Sequence, residues 1–146
     1  MTGGAGYIGS HTCKALWSAG HLPVIYDNLV TGWADAVRFG PVEQGDLLDR
    51  DRLAEVFARH RPQAVMHFAA LSQVGESVEQ PERYWRNNVC GSLNLIEATV
   101  AAGCRHFLFA STCAVYGDEG GANLDEASPL APISPYAATK RGVEQM

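Results

Sequence analysis

Basic charge, paired cysteines and long apolar runs are what this sequence has least of. Eleven Lys and Arg stand against sixteen Asp and Glu, for a formal net charge of -5. Non-specific nucleic-acid affinity comes from clustered cations, so this balance excludes a general phosphate-backbone binder. Cys13, Cys90, Cys104 and Cys113 form no C-x-x-C pair. A disulfide framework needs a small, Cys-dense secreted chain, and a zinc site needs paired ligands. The histidines (His11, His21, His60, His67 and His106) are equally scattered, so no metal is expected. Reduced thiols in a cytoplasmic protein are the expectation. Met1-Thr2-Gly3-Gly4 has neither the basic nor the apolar region of a signal peptide. No apolar run approaches the roughly 18 residues of a spanning helix, so no membrane partner is expected.

What is present is a globular composition: 146 residues, 47% hydrophobic and 18% charged. That length fits one domain of roughly 100–150 residues, and residues 1–146 are read as one. Short apolar runs alternate with longer helical stretches. Leu22 to Tyr26 (LPVIY), Pro41 to Gln44, Ala64 to Phe68 (AVMHF) and His106 to Ala110 (HFLFA) read as strands. The spacing predicts helices over 9–19, from an Asp49 cap to about His60, over Pro81 to Ala102, and from Ser134 onward. In the long helix Val89, Leu93, Ile96 and Val100 are spaced for a buried face. This alternation predicts right-handed βαβ crossovers and a mostly parallel α/β sheet. AVMHF and HFLFA are nearly continuous apolar runs, as for strands covered on both faces. Gly117 to Pro135 reads as a functional connection.

Gly3-Gly4-Ala5-Gly6-Tyr7-Ile8-Gly9 satisfies both G-x-G-x-x-G and G-x-x-G-x-x-G. One glycine permits a tight turn, another lets backbone approach a pyrophosphate, and a third lets the helix pack closely. The helix N-terminus then faces the negative charge. A plain glycine turn is the alternative, since 15 glycines make chance matches easy. Asp27 follows at the end of the next strand, where a carboxylate accepts from an adenosine ribose and favours NAD over NADP. An Asx-turn before Asn28 is the competing reading. Tyr136 and Lys140, four apart on a helix, share one face. A phenol with a pKa of about 10 is a poor base near neutrality, and an adjacent ammonium favours its ionised form. Such a pair makes a general base beside a hydride acceptor, although a solvated helix face fits any single Y-x-x-x-K. Ser111-Thr112 offers a hydroxyl third member. Cys113 has no basic partner nearby in sequence and is read as packing.

These segments together resemble the N-terminal, cofactor-binding part of the extended short-chain dehydrogenases, and within them the UDP-glucose 4-epimerases. The matches are Thr2 to His11, Tyr26 to Leu29, Gly45 to Leu47, His67 to Ala70, Val74 to Ser77, Asn87 to Val89, Ser111 to Gly117 and Ser134 to Lys140. They run in order along essentially the whole chain. The resemblance implies a Rossmann-like, doubly wound parallel sheet. Because only Met1 and Thr2 precede the glycine cluster and the chain stops within a helical pattern, the first strand and the C-terminal substrate domain are expected to be missing. A piece lacking a central strand is expected to be unstable and inactive alone.

By position, the resemblance places Gly3, Gly6, Tyr7, Ile8 and Gly9 at the pyrophosphate of NAD. Asp27 and Asn28 fall on the adenosine ribose, with Leu29, Thr31 and Gly32 lining that end. Asp46 and Leu47 flank the adenine, Phe68, Ala69 and Ala70 run beneath the cofactor, and Asn87 reaches it from a helix. Phe68 could instead be plain core, and Asn87 and Asn88 helix-surface amides. Thr112, Tyr136 and Lys140 become the catalytic group. Ser72 stands where some relatives carry a lysine beside the nicotinamide, which removes a cation that would tighten NAD. The implied reaction is inversion at C4 of a UDP-hexose, in a homodimer of the full-length protein. A 4,6-dehydratase lacks its acidic pair here, since Cys113-Ala114 follow Thr112. An enzyme acting on a UDP-uronic acid, or a non-enzymatic NAD-binding sensor, remains the alternative.

Overall fold

The computed structural model describes residues 1–117 and 123–146; of the 117–135 connection, residues 118–122 lie outside them. Two compact units emerge, Met1–Ala70 with Asn94–Ala110, and Leu71–Leu93 with Ser111–Met146.

The first unit carries the sheet. Strands β1 (Ile25–Asp27), β2 (Val42–Gln44), β3 (Val65–His67) and β4 (Phe107–Phe109) are each three residues long. β1 pairs parallel with β2, and β3 parallel with β4. Thr2 joins the two pairs, with parallel bridges to Tyr26 and His67. The order is therefore β2-β1-Thr2-β3-β4, with Met1–Thr2 as a two-residue central element. Its backbone is tied on both sides: Thr2 N–H donates to Met66 O at 3.0 Å, and Tyr26 N–H to Met1 O at 2.8 Å. The Met1 ammonium donates to Val24 O at 2.9 Å, and its burial lowers its pKa.

The helices of this unit follow local chemistry. In α2 (Arg50–His60), Asp49 caps the N-terminus by accepting from Arg52 N–H, at 2.9 Å. Such a cap contributes about 1 kcal/mol. Leu53, Val56 and Phe57 bury one face of α2 against Tyr26, Leu47, Val65 and Leu95. An ion cluster ties α2 to β2: Glu43, on β2, meets Arg52, Arg59 at 2.9 Å and His60 at 2.6 Å. α1 (Tyr7–Ser18) buries Gly9 and Cys13, while Trp17 is half exposed.

The expectation of strands covered on both faces fails for β4, where Leu108 is 48% exposed. An apolar run fixes strand propensity, but only neighbouring elements decide whether both faces are covered. The long helix of 81–102 is also not one α-helix. α4 (Pro81–Tyr84) runs into a π-helical turn at Trp85–Cys90, then into α5 (Gly91–Ala101). Its buried face is Asn88, Ser92, Leu95 and Thr99, whereas Val100 is 71% exposed. Ser92 and Thr99 can be buried because each hydroxyl donates to the carbonyl four residues back, Asn88 O at 2.5 Å and Leu95 O at 2.6 Å. Apolar spacing alone therefore named the wrong stripe.

The second unit is helical: α3 (Val74–Glu79), which periodicity did not reveal, α4, the π turn, and α6 (Pro135–Glu144). α6 begins as the sequence suggests, with Ser134 accepting from Ala137 N–H at 3.2 Å and Pro135 at its first position. It packs against α3, α4, the π turn and a 3-10 helix, Cys113–Tyr116.

Candidate functional site

In the first unit, β1, the glycine loop and α1 form one bonded assembly. Gly3 has φ +70, and a Cβ there would lie 2.5 Å from Ala69 N. At Gly9 a Cβ would meet Gly3 O at 2.1 Å. Both glycines are thus required by the protein's own backbone, Gly3 by its approach to Ala69 and Gly9 by closure of the loop on α1. Gly6 differs. A Cβ there would touch only Gly3 O, at 3.3 Å, so packing alone asks little of that position. Gly6 is the N-cap of α1 and provides no side-chain cap, so no side chain shields the first-turn N–H groups. Tyr7 and Ile8, in that turn, are 82% and 60% exposed. Donors at a helix start, beside a position kept bare of side chain, suit an anion such as a pyrophosphate.

Asp27 holds this loop in place. Its Oδ2 accepts from Ala5 N–H and its Oδ1 from Leu29 N–H, both at 2.9 Å. The second bond is the Asx-turn that the sequence offered as an alternative. A carboxylate has about four lone-pair positions, so two such bonds leave acceptors for ribose hydroxyls. Leu29 has φ 60, a left-handed conformation unusual for leucine and stabilised here by the Asp27 bond. Gly32 is pressed against the same assembly, since a Cβ there would lie 2.7 Å from Ala5 Cβ. Thr31 is exposed.

Asn28 and Asp46 meet, with Asn28 Nδ2 donating to Asp46 Oδ2 at 2.8 Å. Tyr26 donates its hydroxyl to Asp46 O at 2.8 Å, and burial first, then Asp49 and Asp46, push its phenol up to about 12. Leu47 is buried in the core cluster with Leu53 and Val56. Phe68, Ala69 and Ala70 follow β3 and are half-buried, with Phe68 N–H donating to Thr2 O at 3.0 Å.

In the second unit, α6 carries Tyr136 and Lys140 one turn apart. Lys140 is 3% exposed, which removes the solvated-face reading. Burial drives its ammonium down to about 8, against the opposing pull of the Glu144 carboxylate. Thr112 caps the 3-10 helix by accepting from Ala114 N–H at 3.3 Å, and that short helix packs on α6. Ser111 Oγ donates to Glu144 Oε1. Tyr136 and Lys140 thus lie on α6, and Thr112 caps a short helix packed on it. Cys113 is exposed beside them. Asn87 is half-buried and donates to Asn88 Oδ1 at 2.9 Å, whereas Ser72 is exposed.

Two residues of this unit carry more than their sequence suggested. Tyr84 is fully buried, with its ring edge-on to Tyr136, centroids 6.5 Å apart and planes at 84°. Asn88, 2% exposed, is no surface amide: it bonds Leu71 N–H at 2.9 Å, Leu71 O at 3.0 Å and Thr139 Oγ1 at 3.1 Å. The available signal was four-residue spacing of polar side chains (84, 88, 92), but apolar periodicity points to the other face.

Comparison with known proteins bears on the same residues. The NAD dependent epimerase/dehydratase family matches residues 1–146. A UDP-glucose 4-epimerase of Rhizobium meliloti (strain 1021) is 52% identical over 145 residues, which is 99% of this chain and 44% of that protein. One from Streptomyces lividans is 45% identical over 148 residues, all of this chain and 45% of the relative. The crystal structure of the Brucella ovis UDP-glucose 4-epimerase in complex with NAD superposes with a TM-score of 0.96 at 47% identity, over 99% of this chain and 45% of that one. The Thermus thermophilus UDP-glucose 4-epimerase complex with NAD gives 0.95 at 40% identity, over 99% and 47%. The chain thus spans a little under half the length of these relatives. Over that span, with a Rossmann-like parallel sheet behind its glycine loop, it belongs to the NAD dependent epimerase/dehydratase family.

Proposed function

We propose that residues 1–146 are the NAD-binding domain of a UDP-glucose 4-epimerase. Resemblance to the full-length relatives, at 52% identity for the Rhizobium meliloti protein, supports that substrate. The observation that carries the chemical reading is Lys140: a buried amine, one helical turn from a phenol, whose pKa burial lowers to about 8. Burying a lysine that deeply opposes stability, a cost kept where the site uses the amine.

Bound NAD would supply an acceptor for the hydride of a secondary alcohol carbon and return it to that carbon. The chain's own residues do the rest. The first-turn N–H groups of Tyr7, Ile8 and Gly9 hold the pyrophosphate, with Gly3 and Gly6 allowing its approach. The remaining lone pairs of Asp27 accept from the adenosine ribose. Asn28, Leu29, Thr31, Gly32, Asp46 and Leu47 line the adenosine end, Phe68, Ala69 and Ala70 the middle, and Ser72 and Asn87 the nicotinamide end. Tyr136 would take the proton of the sugar C4 hydroxyl and give it back to the same oxygen when the reaction closes. Thr112 donates a hydrogen bond to the same oxygen. Lys140 orients the nicotinamide ribose and places positive charge near the phenol.

The full-length protein is read as a homodimer in the cytoplasm. The dimer is supported by Trp85, Leu93 and Val100 at 44%, 43% and 71% exposed, apolar side chains along the segment of 81–102. The cytoplasmic setting is supported by the four free thiols. The decisive assay follows conversion of UDP-galactose to UDP-glucose by the full-length protein with NAD. Tyr136→Phe should lower turnover by about a hundredfold or more with the fold intact. Near-parental turnover in that variant removes Tyr136 as the base, and product formed only from UDP-glucuronate moves the substrate class.

A further inference from the structure

The Tyr136 ring stands against a second tyrosine that sequence reasoning gave no role. Tyr84, the last residue of α4, is 0% exposed. Its hydroxyl accepts from Gln73 N–H at 3.1 Å, and its one proton has two acceptors in reach, Gln73 O at 2.8 Å and Glu76 Oε2 at 2.7 Å. Glu76 is itself paired with Arg83. Burial first, and then Glu76, push the Tyr84 phenol up to about 12, so it remains a neutral donor. The three bonds fix where the far end of the ring lies, and complete burial of the ring restricts its plane. The Tyr136 ring lies against it at the T-shaped geometry that aromatic pairs favour.

The Tyr136 backbone is held from the same stretch of chain. Asn88 Nδ2 donates to Thr139 Oγ1 at 3.1 Å, and the Thr139 hydroxyl donates to Tyr136 O at 2.6 Å. Tyr84 and Asn88 lie at the start and within the π-helical turn Trp85–Cys90, a rare conformation that recurs at functional sites. Ring and main chain of one residue are thus fixed from one segment.

We propose that Tyr84 is a positioning residue for Tyr136: its buried ring, packed T-shaped against the Tyr136 ring, sets the direction in which the Tyr136 phenol points. This rests on the reading of Tyr136 as the base, and the experiment separates the two. A general base is effective only within hydrogen-bond reach of its proton, and a misplacement of about 1 Å can cost about a hundredfold in rate. A ring contact that only filled space would leave the chemical step alone.

The test uses the full-length protein and steady-state turnover of UDP-galactose, with Tyr84→Leu and Tyr84→Phe each made in the parent and in the Tyr136→Phe background. Tyr84→Leu should lower kcat by about tenfold or more while KM stays within about twofold. Tyr84→Phe, which keeps the edge-on ring, should restore kcat to within about threefold of the parent. In the Tyr136→Phe background Tyr84→Leu should cause no further loss. Parental kcat in Tyr84→Leu, equal losses in both backgrounds, or a Tyr84→Phe variant as impaired as Tyr84→Leu each overturns the proposal. Should Tyr84→Leu fail to fold, Tyr84→Met carries the same comparison, since its longer, unbranched side chain adapts to the site without a ring plane. If Tyr136→Phe alone keeps parental turnover, it is the base assignment that falls, before any Tyr84 variant is read.

Discussion

Lys140→Met is the perturbation that most directly weighs function against stability here. Lys140 is 3% exposed, and burial lowers its pKa from 10.5 to about 8. The sign follows from proton linkage. Between those two values the unfolded chain binds the proton more readily than the fold does, so stability rises with pH through that window. Below about 8 the full cost of a buried ammonium is present. At about 1.36 kcal/mol per pKa unit, a shift of this size corresponds to roughly 3 kcal/mol, with Glu144 already counted as a partial offset. Methionine has a similar length and no charge to desolvate. At pH 7 Lys140→Met should therefore be more stable than the parent by about 1–3 kcal/mol, the lower end allowing for lost polar contacts. With a urea m-value of roughly 1–3 kcal/mol/M, the midpoint should move up by about 1 M. The advantage should shrink from pH 8 through pH 10.5, above which the parent amine is largely neutral in both states. Turnover should be lost in the same variant, as when a destabilising group is kept for activity. Urea titrations of the full-length protein at several pH values measure this. A variant less stable than the parent at pH 7, with a pH dependence parallel to it, would refute the desolvation argument.

The glycine loop divides into positions required by the fold and one that is not. Gly9→Ala, whose Cβ would meet Gly3 O at 2.1 Å, should destabilise by several degrees in thermal melts. Gly6→Ala should melt normally yet bind NAD at least about tenfold more weakly by isothermal titration; unchanged affinity would remove the pyrophosphate from that loop. Glu43 is held down at about 2, first by its hydrogen bond to His60 and then by Arg59 and Arg52. Its contribution is complete above its ordinary 4.5 and is lost as pH falls toward 2. Glu43→Gln should therefore destabilise by about 1–3 kcal/mol at pH 7, between the exposed and buried ion-pair ranges, and flatten acid unfolding in that window. An acid-unfolding curve identical to the parent's would show the cluster to be without net effect.

Much of the architecture was legible because it rests on local chemistry. Asp49 and Ser134 announce helix starts by side chains that accept from backbone a few residues on, and the apolar runs before Asp27 and after Pro62 mark strands. The glycine spacing and the Tyr136–Lys140 interval are likewise properties of consecutive residues. What the sequence left open is whatever depends on a distant partner. Asp27 could be a turn residue or a ribose acceptor. Its structure shows the turn bond and a second bond to Ala5 N–H that locks the loop, and neither excludes the ribose. The π turn had no signature, because an i→i+5 register changes hydrogen bonding without changing composition. The buried stripe of α5 was misplaced because Ser92 and Thr99 satisfy their hydroxyls within the helix.

The linear chain by itself settled the order of the four strands, the glycine turn, the capped starts of α2 and α6 and the family resemblance, since each is encoded within a few residues. Tertiary structure alone decided that Lys140 is desolvated, that Glu43 sits among Arg52, Arg59 and His60, and that Tyr84 stands edge-on to Tyr136. Burial and ring geometry arise from elements far apart in sequence. No spacing rule reports them, because a side chain's charge, reach and direction are fixed by what folds against it.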